Sequence, residues 1–245
     1  MHLRWRCLQK RMKWNKKFRY PSSTRSLIRG SRHYDLGNEK LPSVTTILAA
    51  TQTKEKRESL QRWQDRIGKE SATRIRDQAA ERGTAMHAFL EAYLQGKQRL
   101  DLTIIGQEAR TMAHRIIEQG LTDLEEFWGT EVTVFYPGLY AGATDLAGVY
   151  QGVESICDFK QSNKPKRKEW VGDYFLQLAA YAMAHNHVYN TQITQGVILL
   201  CTKDNLFQRF IVDGSEFVTY QHKFLERVDQ YYREKGSIVS ETRQK

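Results

Sequence analysis

Proline is scarce in this 245-residue chain, with four residues at Pro21, Pro42, Pro137 and Pro165. None falls between 43 and 136, so the first half is free to form long helices. Cysteine is scarcer still: Cys7, Cys157 and Cys201 are odd in number and widely spaced. Three cysteines cannot supply a four-thiolate iron–sulfur cluster, and their spacing matches no zinc pattern, so free thiols in a reducing compartment are expected. No run of about 18 apolar residues occurs, so no membrane-spanning helix is expected. Acids are missing from the first 34 positions, which carry eleven Lys or Arg; the first carboxylate is Asp35.

That last absence reinterprets the net charge of +10. Residues 35–245 hold 27 basic and 28 acidic side chains, so the excess is a basic arm, 1–34, on a nearly neutral body. Three roles fit the arm. It could bind a nucleic-acid backbone, because Trp5, Trp14, Phe18 and Tyr20 interleave with the charges and bases stack on aromatic rings. It could be a mitochondrial transit segment, or simply a solvated terminus.

Residues 35–129 read as mainly helical. Ser43 is placed to cap a short helix through Val44, Ile47 and Leu48. A second helix starts after Thr53, with Leu60, Trp63 and Ile67 at helical spacing, and continues or restarts through Ile75 and Ala79. Gly83 is expected to break it, and Thr84 to cap the next helix, which turns Met86, Phe89, Leu90, Tyr93 and Leu94 inward and ends at Gly96. Residues 107–119 and 122–128 read as two more helices. From Gly129 the pattern alternates: 131–136, 141–150 and 153–160 read as strands. A lysine-rich loop, a helix over 171–189, strands over 196–202 and 206–212, and a helix over 215–234 follow.

The chemistry is read from one hairpin. With Gln151-Gly152 as a two-residue turn, Tyr150 faces Val153 and Asp145 falls opposite Asp158. Like charges at directly opposed positions repel, so a structural protein gains nothing from the pair. A divalent cation between the carboxylates turns the repulsion into a binding site. Alternation puts Lys160 on the face of Asp158, while Cys157 and Phe159 point into a core. A cation there could polarise a phosphoryl oxygen and activate water, with Lys160 offsetting the developing charge. As an isolated triplet, Asp-x-Lys is commonly a solvated strand face; the facing Asp145 is what lifts it.

Gln177 and Tyr181 lie one turn apart on the next helix. They could steady a water or phosphate and hold the substrate backbone, or be a polar stripe on a buried helix. His87 shares a helix face with Glu91 and could complete a metal shell or be structural. His185 and His187, near a helix end, are expected to face solvent. Lys164, Lys166, Arg167 and Lys168 follow the acidic strand, and phosphate contact or plain solvation would explain them.

The set Asp145, Asp158-Phe-Lys160, Gln177-Leu-Ala-Ala-Tyr181 and upstream His87 resembles the RecB-type branch of the PD-(D/E)XK nucleases, including exonucleases of mitochondria and bacteriophages. The likeness extends to Leu41-Pro-Ser-Val-Thr-Thr-Ile-Leu48, Leu60-Gln-Arg-Trp63 and the stretch from Val149 to Lys166, and covers roughly residues 40–235. It implies an α/β (α+β) fold: a restriction-endonuclease-like core over 130–245, with a mixed central β-sheet flanked by helices. It implies Mg²⁺ or Mn²⁺ held by Asp145, Asp158, His87 and Phe159, with Asp145, Asp158, Lys160 and Gln177 catalytic. DNA contact falls to Tyr181, Lys164, Lys166, Arg167 and Lys168. Single-stranded DNA threaded under a helical region, 44–95 here, and degraded from an end is the implied substrate. A monomer is expected, in a bacterial cytoplasm or a mitochondrial matrix. A flap or structure-specific endonuclease and a non-catalytic DNA-binding accessory are the alternatives. Two departures stand out: Thr144 occupies the place of the family's proline, and the second acid is Asp.

Overall fold

The computed structural model describes residues 12–242, with side chains described through 236. Residues 1–11, including Trp5 and Cys7, lie outside the described residues. Chain order begins with β1 (Lys13–Trp14), β2 (Thr24–Ile28), β3 (Ser31–Asp35) and β4 (Lys40–Pro42). Four helices follow: α1 (Val44–Ala50), α2 (Lys54–Ile67), α3 (Lys69–Leu94) and α4 (Ile104–Gln119). Then come β5 (Leu124–Tyr136), β6 (Tyr140–Tyr150), β7 (Val153–Ser162), α5 (Gly172–Tyr189), β8 (Gln195–Thr202), β9 (Phe207–Asp213) and α6 (Gly214–Thr242).

The central sheet has six strands in the order β1-β5-β6-β7-β8-β9. It is mixed: β1 on β5 and β7 on β8 are parallel, and the remaining pairs are antiparallel. The parallel β7–β8 pair requires a crossover, and α5 supplies it. Each face buries its own core. Ala147, Ile156, Ile198 and Leu200 pack under α5 and α6, with Phe175, Leu178, Phe217 and Phe224. Leu146, Cys157, Phe159 and Leu199 pack under α3 and α4, with Met86, Leu90, Met112 and Ile116. The central sheet flanked by helices is the expected class. Strands β2, β3 and β4 form a separate small antiparallel sheet.

Several local expectations need correction. Residues 122–128 are not a helix, since Leu124–Trp128 opens β5. Strand alternation sends Phe127 to one core and Trp128 to the other, and pairing with β6 overrides the helix propensity of Leu and Glu. Gly83 does not break a helix, and α3 runs through it. Its cost is only about 1 kcal/mol in a helix interior, and a Cβ there would sit 3.3 Å from Gln161 Cγ of β7. Thr84 caps nothing: its hydroxyl donates to Ala80 O inside the helix. Helix α2 forms behind its Thr53 cap, yet none of its residues is buried, and Leu60 is 48% exposed. Phe18 and Tyr20 pack around Trp128, His185 and Tyr189, so they are not free to stack on bases.

Candidate metal centre

The Gln151-Gly152 turn forms as expected. Both residues have positive φ, 51° and 77°, the backbone of a type I′ hairpin. The β6–β7 ladder runs from Tyr150↔Val153 to Leu146↔Cys157 and stops there, one step short of Asp145 and Asp158. On the other side of β6, the β5 ladder passes from Thr130↔Leu146 to Val132↔Thr144 and steps over Glu131 and Asp145. Glu131, Asp145 and Asp158 therefore occupy one register level across three adjacent strands, and both ladders are interrupted there.

The interruption is filled by side chains. Asp145 Oδ2 accepts a hydrogen bond from Phe159 N at 2.6 Å. Thr130 Oγ1 donates to Asp145 O at 2.9 Å. His87 of α3 reaches this level from the opposite helical layer, where β6 and β7 have parted. Its Nε2 lies 2.8 Å from Phe159 O, and its Nδ1 lies 3.4 Å from Asp145 Oδ1 and 3.5 Å from Glu131 Oε1. Nε2 donates to the carbonyl, which turns Nδ1 toward the two carboxylates.

Lys160 Nζ lies 2.5 Å from Asp158 Oδ2 as an ion pair. This oxygen is buried and, among the described residues, has no partner besides that ammonium. Lys160 Nζ also donates to Gln177 Oε1 at 3.3 Å, and Gln177 Nε2 donates to Tyr181 Oη at 3.0 Å. The Tyr174 ring stands 4.9 Å from the same ammonium.

Burial and mutual charge set the protonation states. Burial opposes charge on His87, but Asp145 and then Glu131 outweigh it and hold the imidazole well above its ordinary 6.5. Burial likewise works against ionised Asp145, and His87, Lys160 and the Phe159 amide overcome it, so its pKa falls. Asp158 goes the other way: burial pushes it up to about 6, with Lys160 pulling down and Asp145 adding to the rise. Lys160 is raised despite its burial, because Asp158 and Asp145 lie beside it.

A divalent cation fits these residues. Ligand atoms of His87, Glu131 and Asp145 all lie within 4.8 Å of one another, and Asp158 Oδ2 is a buried oxygen with a lone pair to give. Hard, oxygen-rich donors with one imidazole suit Mg²⁺ or Mn²⁺.

The structure thus brings together Asp145, Asp158, Lys160, His87 and Gln177. The side chain of Phe159 lies in the core, and its carbonyl is engaged by His87. Tyr181 is 3% exposed and packs against Gly142, so it buttresses Gln177 and presents no surface. In the following loop Lys164 and Arg167 are exposed, Lys166 exchanges backbone bonds with Gln208, and Lys168 pairs with Glu216 at 2.8 Å. His187 is exposed as expected. His185 is fully buried, contrary to expectation, and is held by Tyr20 and Thr191.

Sequence reasoning passed over Glu131, although the signal was present. Strands meeting around Pro137-Gly138-Leu139 put Tyr136 opposite Tyr140, and that register carries Glu131 to Asp145. It also passed over Arg82, a buried guanidinium that binds Gln161, Glu108 and Asn163 and fixes the exit of β7. No periodicity marks that residue.

No family model matches the chain. The chain is 28% identical over 215 residues to mitochondrial genome maintenance exonuclease 1 of Xenopus tropicalis, covering 82% of this chain and 60% of that protein. The Homo sapiens protein of the same name is 28% identical over 207 residues, covering 80% of this chain and 59% of its own length. The chain therefore spans about three fifths of the relatives it matches. Among solved structures, an alkaline exonuclease from Laribacter hongkongensis aligns at 14% identity with a TM-score of 0.30, covering 64% of this chain and 85% of that one. A Eubacterium rectale protein provisionally described as an exonuclease aligns at 17% identity with a TM-score of 0.46, covering 62% and 64%. The chain resembles the PD-(D/E)XK-type nucleases.

Proposed function

We propose that this chain is a metal-dependent DNA exonuclease that hydrolyses phosphodiester bonds, prefers single strands with free ends, and serves DNA replication, repair or recombination. The observation that carries this is the level row of Glu131, Asp145 and Asp158, with His87 and Lys160 set against it. Repelling carboxylates gathered where two ladders break are costly in a fold and useful at a phosphoryl-transfer site. The names of the curated relatives support the same activity, and of the two expected compartments they support the mitochondrial matrix.

In this reading Asp145, Asp158, Glu131 and His87 hold Mg²⁺ or Mn²⁺. A bound divalent cation supplies Lewis-acid polarisation of a phosphoryl oxygen and a more acidic water. The chain's own residues do the positioning. Lys160, fixed between Asp158 and Gln177, donates to the attacking water or to the oxygen that gains charge as phosphorus is attacked. Gln177 holds the ammonium in place, and Tyr181 holds Gln177. Phe159 orients His87 through its carbonyl. Lys164, Lys166, Arg167 and Lys168 contact backbone phosphates, which position the strand without reading its sequence. Residues 130–245 are the nuclease core of a monomer, and 35–129 form the helical side of the DNA channel.

The test uses end-labelled single-stranded oligonucleotides with Mg²⁺. Asp158→Ala and Lys160→Ala are each expected to abolish cleavage while DNA binding persists, and excess chelator to stop the wild type. A closed circular single strand should remain intact. Full activity in either variant or in chelator overturns the assignment, and rapid cutting of the circle overturns the exonuclease part of it.

A further inference from the structure

The small sheet carries a cluster of cations that the proposed mechanism does not use. In the β2–β3 hairpin, Arg25 pairs with Tyr34 and Leu27 with Arg32, so these four side chains share one face. The root of that face is tied to the site: Tyr34 and Leu41 pack on Ala141 of β6, and the next residue, Gly142, is the one Tyr181 packs against. Outward from Tyr34 the face turns exposed, through Arg25, Arg32 and Leu27, with Leu27 at 75% exposure. Arg29 stands at the tip.

Two features single out this hairpin. Several surface cations elsewhere have carboxylate partners, as in Lys17–Glu154, Lys56–Asp173 and Lys168–Glu216, whereas this hairpin gathers three arginines on a sheet with almost no acid. The only acid in β2, β3 or β4 is Asp35, and Lys40 takes it at 3.5 Å. Among the described residues, Arg25, Arg29 and Arg32 pair with no carboxylate, and the one cation contact here is Arg25 over the Tyr34 ring at 5.5 Å. The turn is the second feature. Arg29 and Gly30 have φ of 50° and 77°, a type I′ turn whose first position favours Asn, Asp or Gly. The turn holds the Arg29 side chain exposed at the tip.

We infer that the β2–β3 hairpin is a wing that binds the phosphate backbone of the nucleic acid entering the acidic site, through Arg25, Arg29 and Arg32. This rests on the DNA-directed reading above. Guanidiniums suit the partner because they bind phosphate oxygens bidentately. Exposed Leu27 between them gives an apolar contact for a sugar or base.

The experiment is metal-free fluorescence anisotropy of a labelled oligothymidylate across a salt series. It compares the wild-type chain, Arg29→Asn, and the triple variant Arg25→Gln/Arg29→Asn/Arg32→Gln. Asparagine suits the turn better than arginine, so Arg29→Asn is expected to keep or raise the unfolding temperature while removing the charge. The slope of log affinity against log salt should shrink by about 0.7 for Arg29→Asn and about 2 for the triple variant. An unchanged slope in a folded Arg29→Asn protein overturns the wing. If the wild type binds and degrades DNA but the variants keep its slope, the wing alone is wrong. If the wild type shows no salt-dependent DNA binding, both the wing and the DNA-directed function fall.

Discussion

His185 gives the sharpest quantitative test of the packing. It sits fully buried on α5, ringed by Phe18, Trp128 and Tyr189. Thr191 Oγ1 already donates to Asn186 Oδ1, so it can only accept from the imidazole at 2.8 Å. That fixes the proton on Nδ1, and Nε2 then accepts from the Tyr20 hydroxyl at 2.9 Å. The neutral ring is satisfied at both nitrogens. A second proton would face the Tyr20 hydroxyl hydrogen and add charge to an apolar cage with Lys17 nearby. Burial first and Lys17 second lower the pKa from 6.5 to about 4. The unfolded chain binds this proton more readily, so the stabilisation is present above pH 6.5 and is lost as pH falls toward 4. The full difference is about 3 kcal/mol, of which about 1.4 kcal/mol is gone by about pH 5.5. Urea unfolding of the wild type and His185→Gln at a series of pH values isolates it. Other titrating groups are common to both proteins and cancel in the difference. The stability gap should narrow between pH 7 and 5 by on the order of 1–2 kcal/mol. Parallel curves would refute the buried neutral imidazole.

Glu131→Gln should weaken Mn²⁺ binding by about 10- to 100-fold in calorimetric titration, and an unchanged affinity would remove Glu131 from the metal centre. Gly142→Ala would place a Cβ 2.4 Å from Tyr181 Cε1. Overpacking of that kind costs about 1–3 kcal/mol, and an unaltered urea midpoint would contradict the contact. Helix α2 buries no residue, so its amides should exchange about tenfold or more faster than those of α5. Protection equal to that of α5, seen by mass spectrometry, would show that α2 is better anchored than its exposure implies.

The parts of the fold legible in the sequence were those set by local chemistry. Ser43 and Thr53 cap the helices expected of them, with side chains accepting from Thr46 N and Lys56 N. Gln151-Gly152 fixed a hairpin register, and from it came the meeting of Asp145, Asp158 and Lys160. What escaped depends on partners distant in the chain. Leu124–Trp128 looks helical alone and becomes a strand because β6 is beside it. The Leu60, Trp63 and Ile67 stripe predicts a buried face, but Leu60 is exposed and Trp63 and Ile67 are only half-buried. His185 looked solvent-facing near its helix end, and the segments that enclose it come from residues 18–20, 128 and 191. Helical periodicity holds no information about such neighbours.

The acidic row explains its own surroundings. Three carboxylates at one register level repel across adjacent strands, and the ladders on both sides of Asp145 give way at that level. Breaking a ladder strands backbone groups that must find other partners. Asp145 takes the Phe159 amide and His87 takes the Phe159 carbonyl, so residues that define the site also replace the lost sheet bonds. The price in charge is met on two sides, by imidazole against Asp145 and Glu131 and by ammonium against Asp158. The two counter-charges flank the row, and the ligand atoms of Glu131 and Asp145 stay within 4.8 Å of each other and of His87. A structural role would be served by apolar residues and an intact ladder. The arrangement makes sense when a cation completes it, and this is why the row, more than any single motif residue, carries the functional assignment.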